Sequence, residues 1–104
     1  MKDQSAAAAA LGSTSGKILA DDTDLYPMVY MMRKPERFIL PYRYEFVTAL
    51  SNPGLMTEYV VMRRGSERDL VFQKYGTEIK GFHTFFEDGS ITILKKNRTA
   101  LKPS

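Results

Sequence analysis

In the second half of the chain the apolar residues fall into four short blocks, beginning near Thr57, Arg68, Ile79 and Ser90. Each is β-branched or aromatic in character and bounded by turn residues, a spacing that predicts an antiparallel meander. Asp88-Gly89, between Phe86 and Ile91, marks the sharpest turn, because glycine enters the positive-φ region that a tight hairpin requires. Arg64-Gly65-Ser66-Glu67 and Gly76-Thr77 mark two more. The block after Arg68 has a competing reading as a short helix capped near Ser66 and Asp69 and ended at Gly76. Val71 and Phe72 suit a pleat at least as well, and the strand is preferred.

Upstream, Met28-Val29-Tyr30-Met31-Met32 predicts a further strand. Residues 42–50 fit two periods. Tyr42, Tyr44 and Phe46 alternate with Arg43 and Glu45 as in a half-buried strand, yet Tyr42, Phe46, Ala49 and Leu50 also share one helical face. Strand is the favoured assignment, with a short helix as the alternative, and Ser51-Asn52-Pro53-Gly54 closes the segment as a turn.

Several predicted strands are apolar on both faces. In the block after Thr57, Tyr59 and Val61 point one way and Val60 and Met62 the other; further on, Phe82 and Phe86 oppose His83 and Phe85. A single open sheet with one wet face would alternate more cleanly. The expected fold is therefore mainly β, a small antiparallel meander that closes into a barrel or sandwich or presents one face to another subunit.

The first quarter differs from the rest. Residues 1–24 hold the run from Ala6 to Ala10, then Gly12-Ser13-Thr14-Ser15-Gly16, and no aromatic side chain. Small side chains bury little apolar area, which predicts a flexible arm whose removal leaves the domain folded and weakens its association. Residues 25–96 carry all the tyrosine and phenylalanine and form the expected β domain; residues 97–104 are a basic tail. Asp3 and the weak apolar character of the alanine run argue against a cleaved leader, and no stretch reaches membrane-spanning length. A cytoplasmic setting, or a particle assembled in the cytoplasm, is expected.

Charge sharpens this division. The 104 residues carry 15 Lys+Arg and 12 Asp+Glu, a formal net charge of +3, and no cysteine. Disulfide frameworks and cysteine-bearing zinc sites are thus excluded. The charge is uneven: residues 1–25 are net −2, residues 26–94 net +1 and residues 95–104 net +4. Basicity is a property of the tail.

Candidate chemistry is sparse. His83, the one histidine, has Glu87 and Asp88 near it in sequence but in no metal-ligand spacing, and no serine lies in a nucleophile elbow. Gly12 to Lys17 resembles a phosphate loop, but one residue too few separates its glycines and Ile18 follows the lysine. No enzyme, cofactor, metal or small-molecule substrate is expected. Two basic clusters remain, Arg33, Lys34 and Arg37, and Arg63, Arg64 and Arg68. The second, with Lys95, Lys96 and Arg98, is the candidate contact for a partner or a phosphate backbone. The expected function is a non-catalytic assembly subunit, a homo-oligomer or part of a larger complex such as a phage or virus particle. The alternative is a small nucleic-acid-binding barrel or a monomeric protein-binding regulator.

Overall fold

Alanine has the highest helix propensity, and the alanine run forms the core of a helix, α1 (Lys2–Gly12). A lone helix of this length melts in water, so its order comes from docking. Ala7 and Leu11, one turn apart, are fully buried. Gln4 ties the first turn down: its side chain donates to the Asp24 carbonyl at 3.0 Å and accepts the Met28 N–H at 3.1 Å. The expected flexible arm is therefore a packed element, because small side chains let a helix approach a sheet closely even though each buries little. The computed structural model describes residues 2–97, with side chains from Gln4 onward; the basic tail beyond Asn97 lies outside them.

The chain continues through β1 (Ile18–Leu19), α2 (Tyr26–Met32), a 3₁₀ turn (Pro35–Arg37), β2 (Phe38–Ile39), α3 (Phe46–Ser51), α4 (Pro53–Met56), β3 (Tyr59–Arg63), α5 (Leu70–Tyr75), β4 (Phe82–Asp88) and β5 (Ile91–Lys96). The strands form one five-stranded sheet in the order β2-β1-β3-β5-β4. β1 runs parallel to both β2 and β3, while β3, β5 and β4 form antiparallel pairs. The sheet is mixed and open, so the expected closed, mainly β architecture is corrected to α/β.

Helices on both faces explain the two-faced apolar strands. On one side Ala7, Leu11, Leu25 and Met28 pack with Ile18, Phe38, Tyr59, Val61, Ile91 and Ile93. On the other, Phe46, Ala49 and Val71 pack with Leu19, Ile39, Val60, Met62 and Leu94. The chain covers both faces itself, and this pattern no longer argues for a second subunit. β4 obtains its own two-faced character from a bulge: Thr84 pairs with Leu94 and Phe86 with Ile93, leaving Phe85 as the extra residue. One inserted residue reverses the side-chain parity, so Phe82 and Phe86 pack on opposite clusters.

Three segments predicted as strands are helical, for identifiable reasons. Leu25, Met28, Val29 and Met32 recur at helical spacing and face the core, and Pro27 sits in the first turn, where its missing N–H costs nothing. The parallel pairing of β1 with β2 also demands a crossover element between them. In the block after Arg68, the Asp69 carboxylate accepts the N–H groups of Val71 and Phe72 at 2.9 and 3.0 Å and starts α5, which stops at Gly76. The block is thus the short capped helix of the competing reading, with Asp69 as its cap. Residues 46–51 likewise take the helical alternative, burying Phe46 and Ala49.

The phosphate-loop look-alike is the connection from α1 to β1, held by one side chain. Buried Arg37 donates from Nε to the Gly16 carbonyl at 2.8 Å, and from its terminal nitrogens to the Leu11 carbonyl and Thr14 Oγ1, both at 3.1 Å. Gly16 has φ of +107° and its absent Cβ would lie 2.8 Å from Glu58 Cβ, so glycine is required there. The last hairpin behaves as its turn signal predicts. Asp88 pairs with Ile91 across Gly89 and Ser90, with Gly89 at φ +58°. Gly89→Val is expected to lower stability by about 1–2 kcal/mol in urea unfolding, since a β-branched residue is strained at positive φ; an unchanged midpoint would mean the turn relaxes freely to another type.

Candidate functional site

β2 lies on one side of β1 and β3 on the other, so the connections leave the carboxyl ends of β1 and β3 in opposite directions. In open α/β sheets this reversal is where crevices form. Here it brings the loop after β1, holding Asp21 and Asp24, against the loop after β3, holding Arg63 to Arg68. A shallow depression of about 450 Å³ lies there, lined by Asp24, Arg63, Arg64, Gly65, Ser66, Glu67, Arg68 and Ser90.

Three aspartates of this region are committed to the chain itself, while Glu67 is exposed. Asp21, almost fully buried, accepts the Thr23 N–H at 3.0 Å, the Thr23 hydroxyl at 2.7 Å and the Leu70 N–H at 2.9 Å. Asp69, with no exposed surface, accepts the Arg63 N–H at 2.9 Å besides the two N–H groups it caps. Asp24 accepts the Ser66 hydroxyl and pairs with Arg68. Arg64 pairs with Glu87 at 2.9 Å. The structure thus gathers Arg63, Arg64 and Arg68 as the sequence suggested, but two of the three already have carboxylate partners.

These environments shift two carboxyls in opposite directions. The Ser66 hydrogen bond holds the Asp24 carboxyl below its ordinary 3.8, outweighing the opposing effect of desolvation, with help from the charges of Arg68 and Arg63. Burial pushes Asp69 up, and its backbone donors only partly offset this. A lowered folded-state pKa means that Asp24 contributes stability at neutral pH that is lost as pH falls below about 4. Asp24→Asn is therefore expected to flatten the acid limb of a stability-against-pH curve; an acid limb unchanged from the parent chain would contradict the Asp24 assignment. Asp69 has the opposite sign, costing stability as pH rises through its raised value.

The remaining candidate cations lie elsewhere. Lys95 sits 5.7 Å from the Tyr59 ring centre and Lys96 donates to the Gly54 carbonyl at 2.6 Å, both at the end of β5 that pairs with the start of β3. Because β5 is antiparallel to β3, this end is opposite the arginine loop. Arg98 lies outside the described residues. Arg33 and Lys34 are exposed, whereas Arg37 is the buried clamp. His83 lies on β4 with Nδ1 2.6 Å from Asn97 Oδ1. Among the described residues no group of three or more acids or histidines is placed to hold a metal ion.

A second surface was not singled out from the sequence. Packing Leu25 and Met28 against the sheet turns Tyr26 and Tyr30 of α2 outward, and Tyr42 follows β2 beside them; they are 59%, 73% and 72% exposed. Tyr26 and Tyr30 stack with ring centres 5.8 Å apart and planes at 24°. The three rings, with Asp22, Val29, Arg33, Pro35 and Leu40, line a groove of about 580 Å³ whose walls are mostly apolar. The signal for it was the helical period of residues 25, 28, 29 and 32. Once the run is assigned as strand, that period is hidden and the tyrosines count as core.

No protein family, characterised protein or solved structure matches the chain. Its sites must be judged on their own chemistry.

Proposed function

We propose that this chain is a non-catalytic protein-binding subunit that joins a larger assembly through the tyrosine groove on α2. The observation that carries the reading is the exposure of Tyr26, Tyr30 and Tyr42 around one apolar concavity. A small domain that has already filled both faces of its sheet does not need these rings for its core. Tyrosine is enriched at protein contacts because a rigid ring contributes area at low entropic cost while its hydroxyl keeps a polar partner. Support also comes from Asp21, Asp24 and Asp69 at the sheet's carboxyl end, which are occupied in fixing loops.

The nucleic-acid alternative draws less support. Its arginine loop is partly neutralised by Asp24 and Glu87, and Lys95 and Lys96 lie at the opposite end of the sheet. Titrating a labelled oligonucleotide at about 50 and 200 mM salt separates the two readings. The protein-binding reading expects no complex with a steep salt dependence. A strong complex that weakens by orders of magnitude at the higher salt would replace it with the alternative.

A further inference from the structure

The tyrosine groove admits several kinds of occupant, and its own geometry discriminates among them. A strand added to the sheet edge would need open backbone groups on β2. Phe38, Ile39 and Leu40 are each no more than 3% exposed, backbone included, so that edge is covered. Single-stranded nucleic acid would stack its bases on the rings but also needs cations along its backbone. Here the lining holds a single base, Arg33, with one acid, Asp22, and Arg37 is buried on the Gly16 and Leu11 carbonyls, so the groove offers no row of cations. What remains accessible is a set of flat rings over an aliphatic floor, with an acid beside the start of α2 and a base just past its end.

We infer that the groove takes a proline-rich segment in the polyproline II conformation, with a basic residue at the Asp22 end and an acidic group at the Arg33 end. This rests on the groove being a protein-binding surface. Three features match. Pyrrolidine rings pack flat on aromatic rings, and a polyproline helix arrives already ordered, so a modest groove suffices. Such a segment has free carbonyls and few N–H groups, which suits phenol hydroxyls and a guanidinium as donors. The seven residues of α2 span about 10 Å, close to the roughly 9 Å of one polyproline turn. One turn of ligand therefore matches the length of the helix, with Asp22 before its start and Arg33 at its end.

The test is a nitrogen-15 NMR titration of the full chain. The probes are an Arg-Pro-Pro-Pro-Glu peptide, its reversed sequence, an Arg-Gly-Ser-Gly-Glu control and oligothymidylate. Saturable shifts at Tyr26, Tyr30 and Tyr42 are expected with at least one proline peptide and not with the control. Tyr30→Ala should weaken binding about tenfold, as for an aromatic contact residue, and leave melting nearly unchanged because the ring is exposed. Asp22→Asn should weaken, severalfold, the binding of whichever proline peptide saturates. Equal binding of the proline and glycine-serine peptides, or no saturation with either, overturns the polyproline assignment and leaves the protein-binding surface standing. Shifts of the same tyrosines by oligothymidylate alone overturn both.

Discussion

A chain lacking residues 1–12 is expected to lose its cooperative thermal transition and to bind a hydrophobic dye at room temperature. Sequence composition suggested the reverse, an arm that could be cut away. In the structure α1 covers one face of the sheet: Ala7 and Leu11 are buried against Ile18, Met28, Ile91 and Ile93, and Gln4 completes the hydrogen bonding of the loop that starts α2. Removing the helix exposes that cluster. At about 25 cal/mol per Å², a few hundred Å² of apolar surface amounts to several kcal/mol, comparable to the whole stability of a domain this small. Leu11→Ala gives a graded version, with an expected loss of about 2–5 kcal/mol. A truncated chain that melts within a few degrees of the full one would show that α1 is dispensable after all.

Asp69→Ala is expected to cost about 2–4 kcal/mol in urea unfolding. The carboxylate has no exposed surface and accepts three backbone N–H groups, two in the first turn of α5 and one at Arg63 at the end of β3. Alanine removes the helix cap and strands buried donors, and each of these losses is worth about 1–2 kcal/mol. Part of the loss is offset because burying a carboxylate was itself costly, as its raised pKa shows. Asp69→Asn keeps one acceptor for α5 but sets an amide against the Arg63 N–H, so it should fall between the two. A change below about 0.5 kcal/mol for alanine would contradict the role assigned to this residue.

The parts of the fold that were legible in the sequence are those whose signals are local. β3, β5 and the Gly89 hairpin combine β-branched runs with a glycine where positive φ is needed. The helical face of residues 46–51 and the Gly76 stop were readable too, as alternatives to the preferred strands. What stayed hidden depended on partners distant in sequence. β1 and β2 are two residues each, too short for any period, and exist because they pair with β3 and with each other. Without them the crossover requirement on α2 is invisible, and the apolar run from Met28 to Met32 reads as a strand. The same error concealed the site. Tyr26 and Tyr30 become surface residues only when residues 25, 28, 29 and 32 are seen as the buried face. The arginine loop was found from its residue types, whereas its neutralisation needed Asp24 and Glu87, distant in sequence from the arginines they meet.

Position-specific photo-crosslinking tests the protein-binding account most directly. A benzophenone side chain is placed singly at positions 30 and 42 in the groove, at 67 in the arginine loop and at 83 on β4, and the chain is irradiated in its native cells. The account predicts a discrete nuclease-resistant protein adduct from positions 30 and 42 that disappears when Tyr26→Ser is added, and none from 67 or 83. Adducts confined to position 67, or adducts that nuclease removes, would contradict it.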